Sequence, residues 1–235
     1  MIYPVRVFRL PAGYFFMVNI FRKIAGGVSH RNRTRKYEWF VEQVALTSDA
    51  RLLDVGYEGR EYHSLSNSLE KLYPYPERIT ALGLPQDNRE FRTRHPEVRI
   101  VTYDGGRFPF ADKEFDAVWS NAVLEHVGNR ESQVRFVSEL LRVGKIAFFT
   151  TPNRYFPIEV HTLTPLLHWL PQKVFDIWVH LTGRPWADGK NIRLLSRKEL
   201  ESICHDAGAS DMLVKKNRVG GFTMDWCVIV SRTAD

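Results

Sequence analysis

Glu159 and His161, within "FPIEVHTLTP", stand two residues apart. In extended backbone that spacing puts both side chains on one side. A carboxylate beside an imidazole can take up and release a proton near neutral pH. His126, on the helix expected after the run "FDAVWSN", is a further candidate base. Near these lie short runs in which a glycine, an acid or an amide follows an apolar stretch. They are Asp54-Val55-Gly56-Tyr57, Gly83-Leu84, Asp104-Gly105-Gly106, Ser120-Asn121-Ala122 and Thr151-Pro152-Asn153. Glycine lets backbone approach a ligand closely, and N–H groups at the start of a helix favour a carboxylate. The same residue types also build ordinary turns. What these five runs share is their position, each just after an apolar run.

The apolar runs read as strands. "ARLLDVG", "ERITALGL", "EVRIVTYD", "FDAVWSN" and "GKIAFFTTPN" are short and rich in residues that suit a buried parallel sheet. Helical patterns alternate with them: "RKYEWFVEQVA", "EYHSLSNSLEKLY" and "SQVRFVSELLRV", the last with Val134, Phe136, Val137, Leu140 and Leu141 on one side. "LSRKELESICHDAGA" reads as a helix capped by Ser196 and Glu199. The end reads as a hairpin turning at Gly220 and Gly221. The expected fold is doubly wound α/β, with a mostly parallel seven-stranded sheet and an antiparallel C-terminal hairpin. In such sheets ligands bind outside the carboxyl ends of the strands, and that rule selects the five runs above. Residues 1–48 read as a basic, apolar extension with a helix. Residues 49–235 read as the main domain, with an aromatic cap at about 154–196.

The composition, 44% hydrophobic and 26% charged, suits a globular chain. Residues 1–51 hold nine Lys or Arg against three Asp or Glu, so the whole excess of +6 lies there. The basic run "HRNRTRK" reads as a solvated helix entry that could also give weak peripheral contact with an anionic membrane. The neutral remainder argues against a large nucleic-acid footprint. Cys204 and Cys227 match no metal or redox spacing, so free thiols in a cytoplasmic setting are expected and no metal is. No apolar stretch is long enough to span a bilayer, and no secretory cleavage site follows "AGYFFMVNI". Nothing in the sequence sets an oligomeric state.

The stretch "YDGGRFPFADKEFDAVWSNAVLEHV", residues 103–127, resembles the class I S-adenosylmethionine-dependent methyltransferases. "LLRVGKIAFFTTPN" is similar to the family's next helix and strand, and the likeness covers roughly residues 50–152 and 194–231. The resemblance implies a Rossmann-like fold, S-adenosylmethionine as cofactor, and methyl transfer to a small-molecule, lipid-linked or saccharide-precursor acceptor, with oxygen as the expected target. By position it implies that Asp54 and Gly56 lie at the methionine end, with Tyr57 in the same turn. It further implies Leu84 against adenine, Asp104 at the adenine amino group, Gly105 close to the ring, and Asn121 where the methyl emerges. His126, Glu159 and His161 are then the candidates for handling the acceptor's proton. The sequence departs from the family's D-x-G-x-G-x-G loop at Glu58 and Arg60, and Gly83 stands where an acid usually holds the ribose. Two readings stay open: a modified cofactor site, with Asp87 standing in for that acid, or a noncatalytic binding or scaffold protein that keeps the fold alone.

Overall fold

Leu52 to Val55 are four buried residues that can only be satisfied by neighbours on both sides, and they form β1, the central strand of the sheet (Leu52–Val55). The computed structural model describes residues 31–61 and 66–233. Before β1 comes helix α1, residues 31–44. After it come α2 (Ser68–Leu72), β2 (Ile79–Gly83), α3 (Arg89–Arg94), β3 (Arg99–Thr102) and β4 (Phe115–Asn121). Then follow α4 (Arg130–Val143), β5 (Gly144–Pro152), the short pair β6 (Ile158–Glu159) and β7 (Thr164–Pro165), and α5 (Gln172–Leu181). The chain closes with α6 (Arg197–Asp206), β8 (Asp211–Val219) and β9 (Phe222–Ser231).

The sheet order is β3-β2-β1-β4-β5-β9-β8. The first five strands are parallel, and β9 runs antiparallel between β5 and β8. The chain leaves β3 on one edge and resumes at β4 beside β1, so strand order reverses between β1 and β4. Alternate side chains of each strand feed two cores. Leu53, Val55, Val118 and Phe149 pack under α4 and α6, with Leu140, Leu141, Leu200 and Ile203. Leu52, Ala117, Trp119 and Phe148 pack with Trp39 and Phe40 of α1, Leu69 of α2 and Phe91 of α3. Trp119 stacks on Phe148 at 4.4 Å, and Phe40 meets Trp119 edge-on at 5.2 Å.

The doubly wound sheet and its C-terminal hairpin match the expectation. Ser196 and Glu199 form the capping box, and Gly220 and Gly221 make the turn with positive φ. Three details differ. Asn67 sits at φ 54°, outside helical space, so within the expected helix "EYHSLSNSLEKLY" only Ser68–Leu72 is helical among the described residues. His126 lies in a single 3-10 turn, Leu124–His126, ahead of α4 rather than on it. The basic run is not simply solvated: Lys36 is 5% exposed, with Nζ 3.0 Å from Asp225 on β9, while Asn32 of the same helix is also buried and donates to that carboxylate at 2.9 Å. The earlier part of the N-terminal extension lies outside the described residues. No helix among the described residues is long and apolar enough to cross a membrane.

Breaking a buried ion pair by removing one partner leaves an uncompensated charge and costs about 3–5 kcal/mol. Lys36→Met should therefore lower unfolding stability by about that amount, measured by urea titration. A loss below about 1 kcal/mol, the worth of an exposed pair, would contradict the assignment.

Candidate active site at the carboxyl edge of the sheet

β1 runs into Gly56, whose φ of +95° is a conformation that side chains disfavour. A Cβ at this position would stand 2.3 Å from Val123 Cγ2. The turn after β1 and the turn after β4 thus touch, and glycine is what lets them. Across the edge, Gly105 has φ +92°, and the atom nearest to where its Cβ would lie is Leu84 Cδ2, at 3.5 Å. Leu84 is 55% exposed. Asp104, also exposed, accepts a hydrogen bond from the Gly106 N–H at 2.9 Å. An exposed apolar side chain, a glycine at positive φ and an exposed carboxylate thus stand together at this edge.

Asp54 is buried and faces Glu70 of α2. Neither Glu70 oxygen meets an N–H or hydroxyl donor. Burial, and then the neighbouring Glu70, push the Asp54 carboxyl well above its ordinary range; burial raises Glu70 as well. Two buried acids facing each other favour a shared proton over two charges.

Tyr57 is buried rather than lining an open rim. Its ring lies 4.7 Å from Phe91 and its hydroxyl donates to Asn88 Oδ1 at 2.8 Å. A Cβ on Gly83 would be 2.7 Å from Tyr57 Cε1, so the tyrosine ring covers the end of β2. Gln86 fastens this loop, accepting from the Gly59 N–H and donating to the Tyr57 carbonyl. Asp87 is exposed and paired with Arg89 at 2.7 Å, whose hydrogen bonds hold it down at about 2. Asn121 does not project freely: its Oδ1 accepts from Lys36 Nζ and Thr150 Oγ1.

Two residues past Val123 the chain places Glu125, which has no exposed surface. Its Oε2 accepts from Thr151 Oγ1 at 3.1 Å, and its Oε1 has no hydrogen-bond partner. Burial raises its pKa to about 7. Opposite stands His161, Nε2 4.0 Å from Glu125 Oε1 and Nδ1 2.7 Å from Glu159 Oε1. Burial opposes charge on His161, but Glu159 and then Glu125 outweigh it and raise its pKa. Burial likewise opposes ionisation of Glu159, yet His161 and Thr162 hold it down at about 2. The exposed His126 ring meets His161 edge-on at 5.0 Å. The sequence spacing thus brought Glu159 and His161 together, and His126 joins them. Glu125 and Glu70 were missed. Glu125 stood next to His126 in "LEHV", and its signal was an acid in an otherwise apolar turn.

Within the cap, against the start of α6, lies a cavity of about 250 Å³, with Arg154, Glu159, His168, Gln172, Arg193 and Glu199 among its lining residues. The Arg193 N–H also donates to the Glu125 carbonyl at 2.8 Å, so the cavity adjoins the histidine cluster.

The family described as "Methyltransferase domain" matches residues 53–147. That stretch is about two fifths of the chain, and over it the sequence is similar to methyltransferase domains. A dimethylglycine N-methyltransferase of Parasynechococcus marenigrum is 34% identical over 73 residues, 30% of this chain and 26% of that one. A glycine/sarcosine/dimethylglycine N-methyltransferase of Actinopolyspora halophila is 26% identical over 132 residues, 53% of this chain and 22% of that one. The chain thus spans about a quarter of the length of these curated relatives. The fold is similar to that of a chain in the complex between the Haloferax volcanii Trm112 methyltransferase activator and a methyltransferase. That likeness has a TM-score of 0.55 and 11% identity, and covers 92% of this chain and 96% of that one. S-adenosylmethionine is the cofactor of this domain type, and the residues fit it at the two ends of the edge. The Leu84–Gly105–Asp104 slot suits adenine, and the acids behind Gly56 suit a ligand end that carries positive charge. At Gly83, where the resemblance would put an acid, the Tyr57 ring lies instead.

The Asp54–Glu70 pair sets a pH dependence. Carboxyl groups whose pKa is raised in the folded state contribute stability below their unfolded pKa, and that stability is lost as pH rises through the folded value. As pH rises above the ordinary carboxylate range and through these raised folded values, the pair's contribution to stability should be lost, and Glu70→Gln should flatten that decline in thermal unfolding. An unchanged slope would show that the two acids do not share a proton.

Proposed function

We propose that the chain transfers a methyl group from S-adenosylmethionine to a hydroxyl of a small polar acceptor. The observation that carries this reading is the contact between Gly56 and Val123, two residues before Glu125. It sets a cofactor turn directly beside a cluster of two imidazoles and two buried carboxylates. When bound, the cofactor supplies an electrophilic methyl on a positively charged sulfur. Leu84, Gly105 and Asp104 hold the adenine, while Gly56 lets the opposite end approach the backbone. The acceptor enters through the polar cavity beside Glu159 and presents its oxygen to His161, which Glu159 orients. At about 250 Å³ that cavity lies below the roughly 300–1,000 Å³ usual for drug-sized ligands, which favours a small acceptor.

Oxygen is the favoured acceptor atom because a hydroxyl must shed its proton as it reacts, and the cluster is built from groups that handle protons. A neutral amine attacks without that requirement. The two curated relatives are named N-methyltransferases, so amine acceptors belong in the same assay as hydroxyl acceptors. Tyr57 over Gly83 favours a second reading, a chain that keeps the fold as a noncatalytic binding or scaffold module without cofactor affinity. Loss of a hydrogen bond to a charged group costs about 1.5–3 kcal/mol, or roughly ten- to a hundredfold in affinity, which leaves a ligand with many other contacts still bound.

Calorimetric titration with S-adenosylmethionine decides between the two. The enzyme reading expects saturable binding that Asp104→Ala weakens about ten- to a hundredfold; no heat at high ligand concentration favours the scaffold. His161→Asn should leave cofactor affinity within about twofold and lower methyl transfer by roughly a hundredfold or more. Equal transfer by wild type and variant would remove His161 from the acceptor site.

A further inference from the structure

Glu125, His126 and His161 each offer one ligating atom, and these atoms all lie within 4.8 Å of one another. They come from two segments 35 residues apart, the turn after β4 and the β6–β7 connection, so sequence spacing could not announce them. The supports around them are those of a ligand set. His161 Nδ1 is 2.7 Å from Glu159 Oε1, which fixes the ring and turns Nε2 toward Glu125. The backbone of Asn191 lies beside the His126 ring. Glu125 Oε2 is held by Thr151, leaving Oε1 buried, without a hydrogen-bond partner and facing His161 at 4.0 Å. Metal-bound histidines usually give their second ring nitrogen to a carboxylate or a backbone carbonyl, and both partners are present. A buried carboxylate oxygen without a donor calls for a proton or a cation.

We propose that Glu125, His126 and His161 bind one divalent transition-metal ion at the mouth of the β4–β5 edge. Two imidazoles and one carboxylate, with further positions open, suit zinc, iron or manganese better than magnesium or calcium, which prefer oxygen ligands. Ligand atoms around tetrahedral zinc stand about 3.3 Å apart. Closure by up to about 1.5 Å is therefore needed, and the exposed His126 ring, on the solvent side, can supply much of it. The role of the ion rests on the proposed methyl transfer: the ion would take the acceptor's oxygen and lower the pKa of its hydroxyl. In the metal-bound form His161 Nε2 would ligate the ion and no longer take the proton itself: the hydroxyl proton leaves to solvent, the O–CH3 bond forms, and the S–CH3 electron pair returns to sulfur. Binding of the ion does not rest on that reading.

The test titrates untagged full-length chain with Zn2+ alone by calorimetry, and with Co2+ alone by visible absorption. One ion per chain is expected, with a cobalt spectrum of nitrogen and oxygen ligation. His126→Ala, at an exposed position, should abolish the spectrum while thermal unfolding of the metal-free chain stays unchanged. Glu159→Gln should weaken affinity about ten- to a hundredfold. Absence of binding, or binding that neither His126→Ala nor His161→Ala alters, overturns the site. If the ion binds while S-adenosylmethionine does not, the metal site stands and the methyltransferase reading falls. If only the cofactor binds, the converse holds.

Discussion

A single close approach organises the edge of this sheet. Gly56 has no room for a side chain because Val123 occupies that space, and the two turns on either side of the strand-order reversal are thereby held in contact. A parallel sheet always leaves its carboxyl-end turns free to carry function; here the contact brings the β1 turn to the start of the Glu125 turn. The rest of the sheet works to hold that contact. β1 pairs with β2 and β4, Phe40, Trp119 and Phe148 lock one face, and the Lys36–Asp225 pair ties α1 to β9. Without that register the slot at Leu84 and the cluster at His161 would be unrelated surface features.

The first turn trades one kind of wall for another. Glu58 is spent on structure: its N–H donates to Asn67 Oδ1, and its carboxylate accepts from the Ser66 hydroxyl. Tyr57 folds inward onto Gly83 and Phe91. The loop that lost two glycines is therefore rigid, held by Gln86 and Asn67. Its aromatic ring packs over Gly83, where the resembled family usually has an acid.

Much of the fold was legible because it is written in local pattern. Short apolar runs gave the strands, Ser196 and Glu199 gave a helix start, and Gly220-Gly221 gave the hairpin. Glu159 and His161 were legible as a pair because a spacing of two survives in a short strand and its turn. Other features depend on distant chemistry. Lys36 read as part of a solvated basic run because its partner Asp225 is far along the chain, and Tyr57 read as a rim residue because nothing local reveals that Gly83 lies beneath it. Glu70 and Glu125 looked like ordinary helical or turn acids; their burial comes from packing against β1 and β5, which no neighbouring residue announces. Within the helix expected at 61–73, Asn67 adopts a left-handed conformation and bonds the Glu58 loop, so the described helix begins at Ser68.

A crystal structure of the chain grown with S-adenosylhomocysteine is the most direct test of the adenine slot and the adjoining transfer site. The account predicts adenine between Leu84 and Gly105 with its amino group at Asp104, and sulfur beside Val123 on the side facing His161. Crystals grown at saturating ligand that hold none at this edge, with Tyr57 still seated on Gly83, would contradict it.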